Sequence, residues 1–473
     1  MTISSRGRNG DGRQTAWKRK RKKKGSMKGM RGKTALFAVL AAAALAVCCD
    51  KEVFYEDEFF SDRKVMIFYS AGHNSLSNEL QSDIRELFSG TRFHTDDPRA
   101  DAVVIYTHSG IDRNKPNPSY LIYPHLDKYG NFVCDTLKRW PETTISASAV
   151  TLREVLETIR DRFPADEYGM LFSSHCTGFL PEGYYSNSKN MEAGAAAASL
   201  QMSRQKDGAK LQGPAGVPYT EPERLPGLPQ TKSIGQDREQ STSYEIALED
   251  FAEAIPMKMK YIIFDACLMG GVETVWQLKD KTEYLIVSPA EVLSDGMEYI
   301  TMMSYLHKRP QADLEGFCRN YFEHYDRLSG AERSATITLA DCSAVRELAE
   351  SCAEIFESHR ETLDMLYQTA PETIQRYYTY DYHWYYDLDD IVGHLGCTDE
   401  EYEKFSHALE RCVVYKASTD MFLVTSAIRP YPGFAIEHYS GLSMYVPLPD
   451  SQAGYLNSRY KTLGWNEATG LVR

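Results

Sequence analysis

Two apolar runs, each followed by a short turn that contains glycine, constrain this chain more than any other feature. Residues 168–174 lead into His175, and residues 261–266 lead into Cys267. Each run has the length and composition of a buried strand. Because open α/β sheets place their reactive groups at the carboxyl ends of strands, these turns predict a shared site at one edge of a sheet.

Regular alternation of helical and strand patterns surrounds both runs. Residues 151–162 and 248–255 carry apolar side chains at helical spacing, and each stretch is closed by proline and followed by one of the two runs. Further strands are predicted at residues 64–70, 102–107, 119–124, 284–288, 335–339 and 442–446. This order predicts an α/β fold with helices on both faces of a mostly parallel sheet.

Charge is distributed unevenly along the chain. Of 473 residues, the first 48 hold 13 of the 53 Lys and Arg and one of the 66 Asp and Glu, so the remainder is strongly acidic. An acidic body argues against nucleic acid as a partner and allows attraction of basic peptides. The sequence gives no sign of an oligomer, and we expect a monomer.

The amino terminus has the composition of an export signal. A basic run at Lys18–Lys24 precedes an apolar stretch at Ala35–Val47, which is short for a membrane span. Two cysteines follow small residues, as in a bacterial lipoprotein signal, and Cys49 is preferred over Cys48 as the acylated residue. Residues 1–48 are therefore predicted to be a signal segment, with 1–26 as a mis-called start, and 49–61 a linker. A nuclear-type basic patch and a plain anchor are the alternatives.

The other eight cysteines show no CxxC spacing, so no zinc site is predicted. Disulfides cannot be deduced from their positions, and most of these cysteines suit a buried core.

Residues 184–243 interrupt the alternation with a segment rich in Gly, Ala, Ser, Gln and Pro. The composition predicts an exposed, mobile insertion between the two reactive turns. It is either a tolerated surface loop or a processing segment, and composition does not choose between them.

A histidine and a cysteine at adjacent strand ends are sufficient for nucleophilic catalysis. The imidazole lowers the pKa of the thiol and later protonates the leaving amine. The backbone N–H groups of Cys267 and of Cys176, which directly follows His175, are predicted to form the oxyanion hole. The alternative is that both side chains are ordinary core residues.

The string from Phe264 to Gly270, FDACLMG, resembles the nucleophile motif of the clostripain family of cysteine peptidases. The upstream string from Ser174 to Phe179 is similar to the histidine motif of that family. Residues 71–76 resemble its opening segment, and residues 288–296 its loop after the nucleophile. The resemblance implies a caspase-like α-β-α sandwich at 62–305, with a mainly helical C-terminal extension at 306–473.

By this resemblance, Cys267 is the nucleophile and His175 the general base and acid. The family cleaves after Arg or Lys, so Asp265 and Asp295 are implied as carboxylates of the pocket for the side chain that precedes the cleaved bond (P1). Self-cleavage also occurs in the family, and Lys189 is the candidate nearest the histidine. Calcium is left open by resemblance, since no ion-binding loop is recognisable, and no metal site or cofactor is predicted.

The chain departs from the family pattern beside the base, where Cys176 replaces the usual Gly, and at Phe179, which replaces Trp. A side chain at 176 could narrow the site, and a second thiol invites oxidation. The leading prediction is a lipid-anchored endopeptidase of the bacterial cell envelope, on its periplasmic or outer face. A catalytically weak peptide-binding lipoprotein is the first alternative, and a glycan-binding lipoprotein the last.

Overall fold

A nine-stranded mixed sheet forms the centre of the computed structural model, and it lies within a compact unit, Phe54–Arg473. The structure describes residues 62–110, 117–182, 216–218, 234–239, 242–369, 373–377, 384–423 and 433–473.

The strands are β1 Lys64–Gly72, β2 Ala102–Ser109, β3 Tyr120–Leu126, β4 Phe132–Arg139, β5 Glu167–Ser173, β6 Gly216–Pro218, β7 Ile234–Glu239, β8 Thr242–Ile246, β9 Met259–Asp265, β10 Thr282–Val287, β11 Thr336–Asp341, β12 Tyr386–Asp387, β13 Val413–Ser418, β14 Met421–Phe422, β15 Phe434–Ala435 and β16 Ser443–Met444. The α-helices are α1 Ser77–Gly90, α2 Ala149–Arg162, α3 Leu248–Ala254, α4 Val272–Leu278, α5 Tyr299–Leu306, α6 Leu314–Asp326, α7 Val345–Ser358, α8 Arg360–Thr369, α9 Leu388–Gly393, α10 Asp399–Cys412, α11 Asp450–Tyr460 and α12 Gly464–Thr469.

The order of strands in the main sheet is β13-β11-β10-β9-β5-β1-β2-β3-β4. The five central strands, β10, β9, β5, β1 and β2, pair in parallel, and the outer two on each side pair antiparallel. After β1 the chain adds β2 on one side of β1 in the sheet, and it later adds β5 on the opposite side of β1. Ligands of open α/β sheets bind where the direction of building reverses in this way.

Both faces of the central strands are apolar, which is why these strands read as continuous hydrophobic runs. Successive residues point to opposite faces, so Ile262 belongs to the core beneath α2, α3 and α4, whereas Ile263 belongs to the core beneath α1, α5 and α6. The three-layer α-β-α arrangement predicted from the sequence is confirmed.

Strands β6, β7 and β8 form a separate small sheet, and here the structure differs from the predicted exposed insertion at 184–243. Ile234, Gln236 and Asp237 are fully buried. The backbone of this segment is held by its neighbours, because Gln236 N–H donates to Ser174 Oγ (3.1 Å) and Arg238 N–H donates to the carbonyl of His73 (2.8 Å). The polar composition of the stretch predicted exposure because it gave no sign of these buried hydrogen bonds.

The C-terminal region shares the main sheet, because β11 and β13 extend it beyond β10. The predicted strand at 442–446 is reduced to β16, which pairs with β12. In the described part of the aromatic stretch 377–386, Tyr377, Trp384, Tyr385 and Tyr386 are buried, in keeping with a packing role. Among the described helices, none combines the length and the apolarity needed to cross a membrane.

Candidate active site

Adjacent parallel strands bring the two predicted reactive residues to one edge of the sheet. Ser173 of β5 is in register with Asp265 of β9, and His175 and Cys267 each lie two residues beyond that pair. Both side chains line the same cavity, which encloses about 360 Å³ including its mouth, and Asp265 lines it too. The structure therefore places an imidazole, a thiol and a carboxylate around one space.

The turns that follow the two residues touch each other. Gly178 has a φ of +61°, and a Cβ built on it would lie 2.5 Å from the carbonyl oxygen of Leu268, so only glycine fits there. Leu268 itself adopts a φ of +60°, which is unusual for a residue with a side chain, and its N–H donates to the carbonyl of Ala290 (2.9 Å). This sharp bend directs the chain away from the sheet immediately after Cys267.

The loop after β1 holds the imidazole of His175. Ser75 Oγ lies 2.9 Å from His175 Nε2, and the histidine is 1% exposed. The preceding residue is also fixed, since Ser174 Oγ donates to the carbonyl of Ala71 (2.7 Å). Ser75 was not identified as a functional residue from the sequence. The only signal was its place in the opening segment that resembles the clostripain family.

The thiol of Cys267 is buried, at 3% exposure, and lies against the backbone of Val292. The N–H of Val292 donates to Sγ (3.3 Å), and Sγ lies 3.6 Å from the carbonyl oxygen of the same residue. Burial raises the pKa of the Cys267 thiol well above its ordinary value, and the charge of Glu291 adds to this effect. The thiol is therefore protonated at neutral pH in this conformation.

The second thiol, Cys176, points into the core. Its side chain is fully buried and is not among those lining the cavity. Its backbone pairs with Ile234 of β7 in an isolated antiparallel bridge. Burial raises the pKa of Cys176, although a hydrogen bond from the backbone of Gly235 opposes this. Packing against β7 accounts for a side chain at the position where the family usually has Gly.

Of the two aspartates implied for substrate binding, only Asp265 lines the cavity. Its Oδ2 accepts hydrogen bonds from Tyr299 Oη (2.5 Å) and from Ser173 Oγ (3.3 Å), and the backbone of Met297 donates to the same carboxylate. Burial raises the pKa of Asp265 in spite of these donors. Asp295 lies on an exposed turn next to Gly296, outside the lining of the cavity.

Two acidic residues of α1, Asp83 and Glu79, also line the cavity and were missed in the sequence. Asp83 is 6% exposed, and burial together with the charge of Asp265 raises its pKa. The available signal was their spacing of four on the helix that follows β1, which puts both carboxylates on one face.

A third buried carboxylate, Asp237 of β7, lies near the cavity without lining it. It accepts hydrogen bonds from the backbone and the hydroxyl of Ser146, and its Oδ2 lies 3.2 Å from His108 Nδ1. The ring of His73 stacks on His108 with a centroid distance of 4.7 Å. Burial alone would raise the pKa of Asp237, but the charge and hydrogen bond of His108 and the Ser146 donor outweigh it, so this pKa is lowered.

Within the described part of the chain, no group of three or more His, Cys, Asp or Glu residues is arranged to hold a metal ion. The predicted self-cleavage residue Lys189 and the predicted acylated residues Cys49 and Cys48 lie outside the described residues.

Comparison with known proteins gives one family and a set of similar structures. The sequence model of the clostripain family matches residues 219–469. The structure is similar to that of an inactive zymogen C11 protease from Parabacteroides distasonis, with a TM-score of 0.64 and 26% identity over 88% of this chain and 99% of that one. A secreted C11 cysteine protease from Bacteroides thetaiotaomicron, in complex with an irreversible peptide inhibitor, gives a TM-score of 0.65 and 20% identity over 87% and 99% of the two chains. Comparison with curated protein sequences gives no significant match.

Proposed function

Because this chain belongs to the clostripain family of cysteine peptidases, we propose that it is an endopeptidase that cleaves after Arg or Lys with Cys267 and His175 as its dyad. The observation that carries the proposal is the common cavity, which both residues of the dyad line together with the buried residue Asp265. A buried guanidinium or ammonium group needs such a carboxylate to offset its desolvation.

The reaction follows from the chemistry of the two residues. His175 accepts the proton of the Cys267 thiol, and the thiolate attacks the carbonyl carbon of the substrate. The imidazolium then donates its proton to the leaving amine, which gives a thioester, and water releases the acid in the second half. We assign the oxyanion hole to the backbone N–H groups of Cys267 and Cys176. Ser75 acts as a positioning residue that orients the imidazole through Nε2.

The P1 pocket is assigned to Asp265, with Asp295 as a second acidic residue by family resemblance. Asp265 lies at the end of β9, two residues before the nucleophile, so its position relative to the thiol is fixed by the strand. Asp295 is exposed, and reaching substrate would require a shift of its turn.

Latency before processing is part of the proposal. A protonated thiol buried against Val292 is a poor nucleophile, and the similar protein from Parabacteroides distasonis is an inactive zymogen. A cut within the 184–243 insertion, with Lys189 as the candidate site, would leave β7 attached through the bonds of Gln236 and Arg238. The two parts of the chain would stay joined through the pairing of β5 with β9.

Peptide hydrolysis tests the dyad and the specificity together. Wild-type protein is expected to cleave peptides with Arg or Lys at P1 and to be labelled at Cys267 by a Lys- or Arg-directed covalent inhibitor. Cys267→Ala and His175→Ala should abolish both signals, whereas Cys318→Ala, which removes a buried thiol in the other core, should keep them. Cleavage only after uncharged residues would refute the specificity. Absence of labelling under reducing conditions would favour the peptide-binding alternative.

Self-processing is tested on a denaturing gel. The wild-type chain is expected to separate into two fragments, while Cys267→Ala remains a single chain. Lys189→Ala should slow the cut if it is the site. Identical migration of wild type and Cys267→Ala would refute self-processing.

Lipid anchoring is tested by metabolic labelling with a fatty acid in a bacterial host. We expect label on the wild-type chain and its loss in Cys49→Ala. If Cys49→Ala retained the label and Cys48→Ala lost it, the acylated residue would be Cys48. Loss in neither variant would refute anchoring through these cysteines.

A further inference from the structure

The cavity that contains the dyad is lined by three carboxylates, Glu79, Asp83 and Asp265, and by no lysine or arginine of the described residues. Two of them come from α1 and one from β9, so they approach the space from different elements. One oxygen of Glu79, Oε2, is buried and accepts no hydrogen bond from the residues that the structure describes. Such a lining favours a cationic ligand.

The two most buried of these carboxylates differ in how they are satisfied. Asp265 accepts bonds from Tyr299, Ser173 and the backbone of Met297, so much of its acceptor capacity is already used. Asp83 is equally buried, at 6% exposure, and lines the cavity, but its oxygens are not among the fully enclosed polar atoms that lack a partner. A carboxylate in this position retains acceptor capacity for a ligand that enters the cavity. Asp83 can therefore accept hydrogen bonds from a cationic ligand there.

We propose that Asp83 is the hydrogen-bonding carboxylate of the P1 pocket and that it selects arginine over lysine. The proposal rests on the proposed function, in which Asp265 receives a basic P1 side chain. A guanidinium presents a planar fork of five N–H donors and binds a free carboxylate through two parallel bonds, while Asp265 contributes charge from the other side. An ammonium is a compact charge with three donors and gains less from the second carboxylate.

A proton accompanies this arrangement. Two neighbouring buried carboxylates without a cation repel each other, so the empty pocket retains a proton that an arginine side chain displaces. Binding of arginine substrates should therefore strengthen as the pH rises, and the dependence should weaken once Asp83 can no longer ionise.

Matched peptides that differ only at P1 test the proposal on the full chain in its active, processed form. Asp83→Asn is expected to lower kcat/KM for the Arg peptide by about 10- to 100-fold, the range for hydrogen bonds to a charged group, mainly through KM. The Lys peptide should lose less than about 5-fold. Glu86→Gln, which removes a carboxylate from the same helix outside the cavity, is the control and should change both by less than about 2-fold.

Rescue separates a specific role from a structural one. Asp83→Glu restores the charge on a longer side chain and should recover part of the preference for Arg. Equal losses for Arg and Lys peptides in Asp83→Asn, or losses no larger than in Glu86→Gln, would overturn the inference while leaving the proposed function in place. If wild-type protein cleaved after neither residue, the proposed function would fail, and this inference with it.

Discussion

Asp83 and Asp237 are both buried carboxylates at the edge of the sheet that carries Cys267, yet the protein treats them in opposite ways. Asp237 is surrounded by donors from Ser146 and by the imidazole of His108, and its pKa is lowered. Asp83 faces the open cavity and another carboxylate, and its pKa is raised. Because the protein supplies hydrogen-bond donors to Asp237, this residue stabilises the fold. The ionised form of Asp83 lacks such compensation until a cationic ligand binds.

The contrast separates structure from binding in a way that burial alone cannot. Both residues are more than nine-tenths buried, and a list of buried acids would place them together. What differs is whether the protein itself provides the counter-charge and the hydrogen bonds. Substitutions on either side test this difference.

The largest effect is expected from removing Asp237. Asp237→Ala leaves His108 and the Ser146 donors without their acceptor in the core, and breaking such a buried pair costs about 3–5 kcal/mol of unfolding free energy. Urea unfolding in a Cys267→Ala background measures it without self-digestion. Asp161→Ala, which removes an exposed partner of Arg160, is the control and should cost less than about 1 kcal/mol. Equal costs in the two variants would break the comparison.

Removing the charge of Asp265 should act on substrate and not on the fold. Asp265→Asn removes one carboxylate partner of a buried cationic P1 side chain, which costs about 2–5 kcal/mol, or at least about 30-fold in kcat/KM for Arg and Lys peptides. Asp237→Asn, assayed at a temperature below its melting temperature, should leave KM for the same peptides unchanged. A similar rise of KM in both variants would show that the two sites are not separate.

The sequence was sufficient to predict the elements that are read locally. Continuous apolar runs marked β1, β5 and β9, and the FDACLMG and histidine motifs pointed to Cys267 and His175. Because parallel strands share one edge, their meeting in a single cavity followed from the order of the elements.

The features that were missed depend on contacts between residues distant in sequence. Asp83 reads as an ordinary solvent-facing acid of an amphipathic helix until α1 is placed against the end of β9. Likewise, Ile234–Asp237 follow a polar, glycine-rich stretch, and their burial depends on bonds to Ser174 and His73 that no local pattern encodes. Strand β13 was missed because it is an edge strand with mixed exposure.

A smaller effect is expected on stability from Asp83. Since its pKa is raised in the folded state, the folded chain holds more protons than the unfolded chain above the ordinary aspartate range, and stability falls as the pH rises through that window. Asp83→Asn removes this loss. It should be more stable than wild type at pH 8 by on the order of 1 kcal/mol, with no gain at pH 4. Thermal unfolding at the two pH values measures it, and a stability loss at pH 8 would contradict it.

The last effect has the opposite sign and belongs to the Asp237 side. Burial and the neighbouring His108 lower the pKa of His73, although Asp237 opposes them. Below about pH 6.5 His73 therefore binds a proton in the unfolded chain but not in the folded chain. The free energy of unfolding falls on acidification by at most about 1.4 kcal/mol per pH unit. His73→Gln should flatten the melting temperature between pH 7 and pH 5.5, while Asp83→Asn leaves that slope unchanged. If the melting temperature of His73→Gln changed between pH 7 and pH 5.5 as much as that of wild type, another group would cause the acid sensitivity. Only the Asp83 part of the comparison would then be supported.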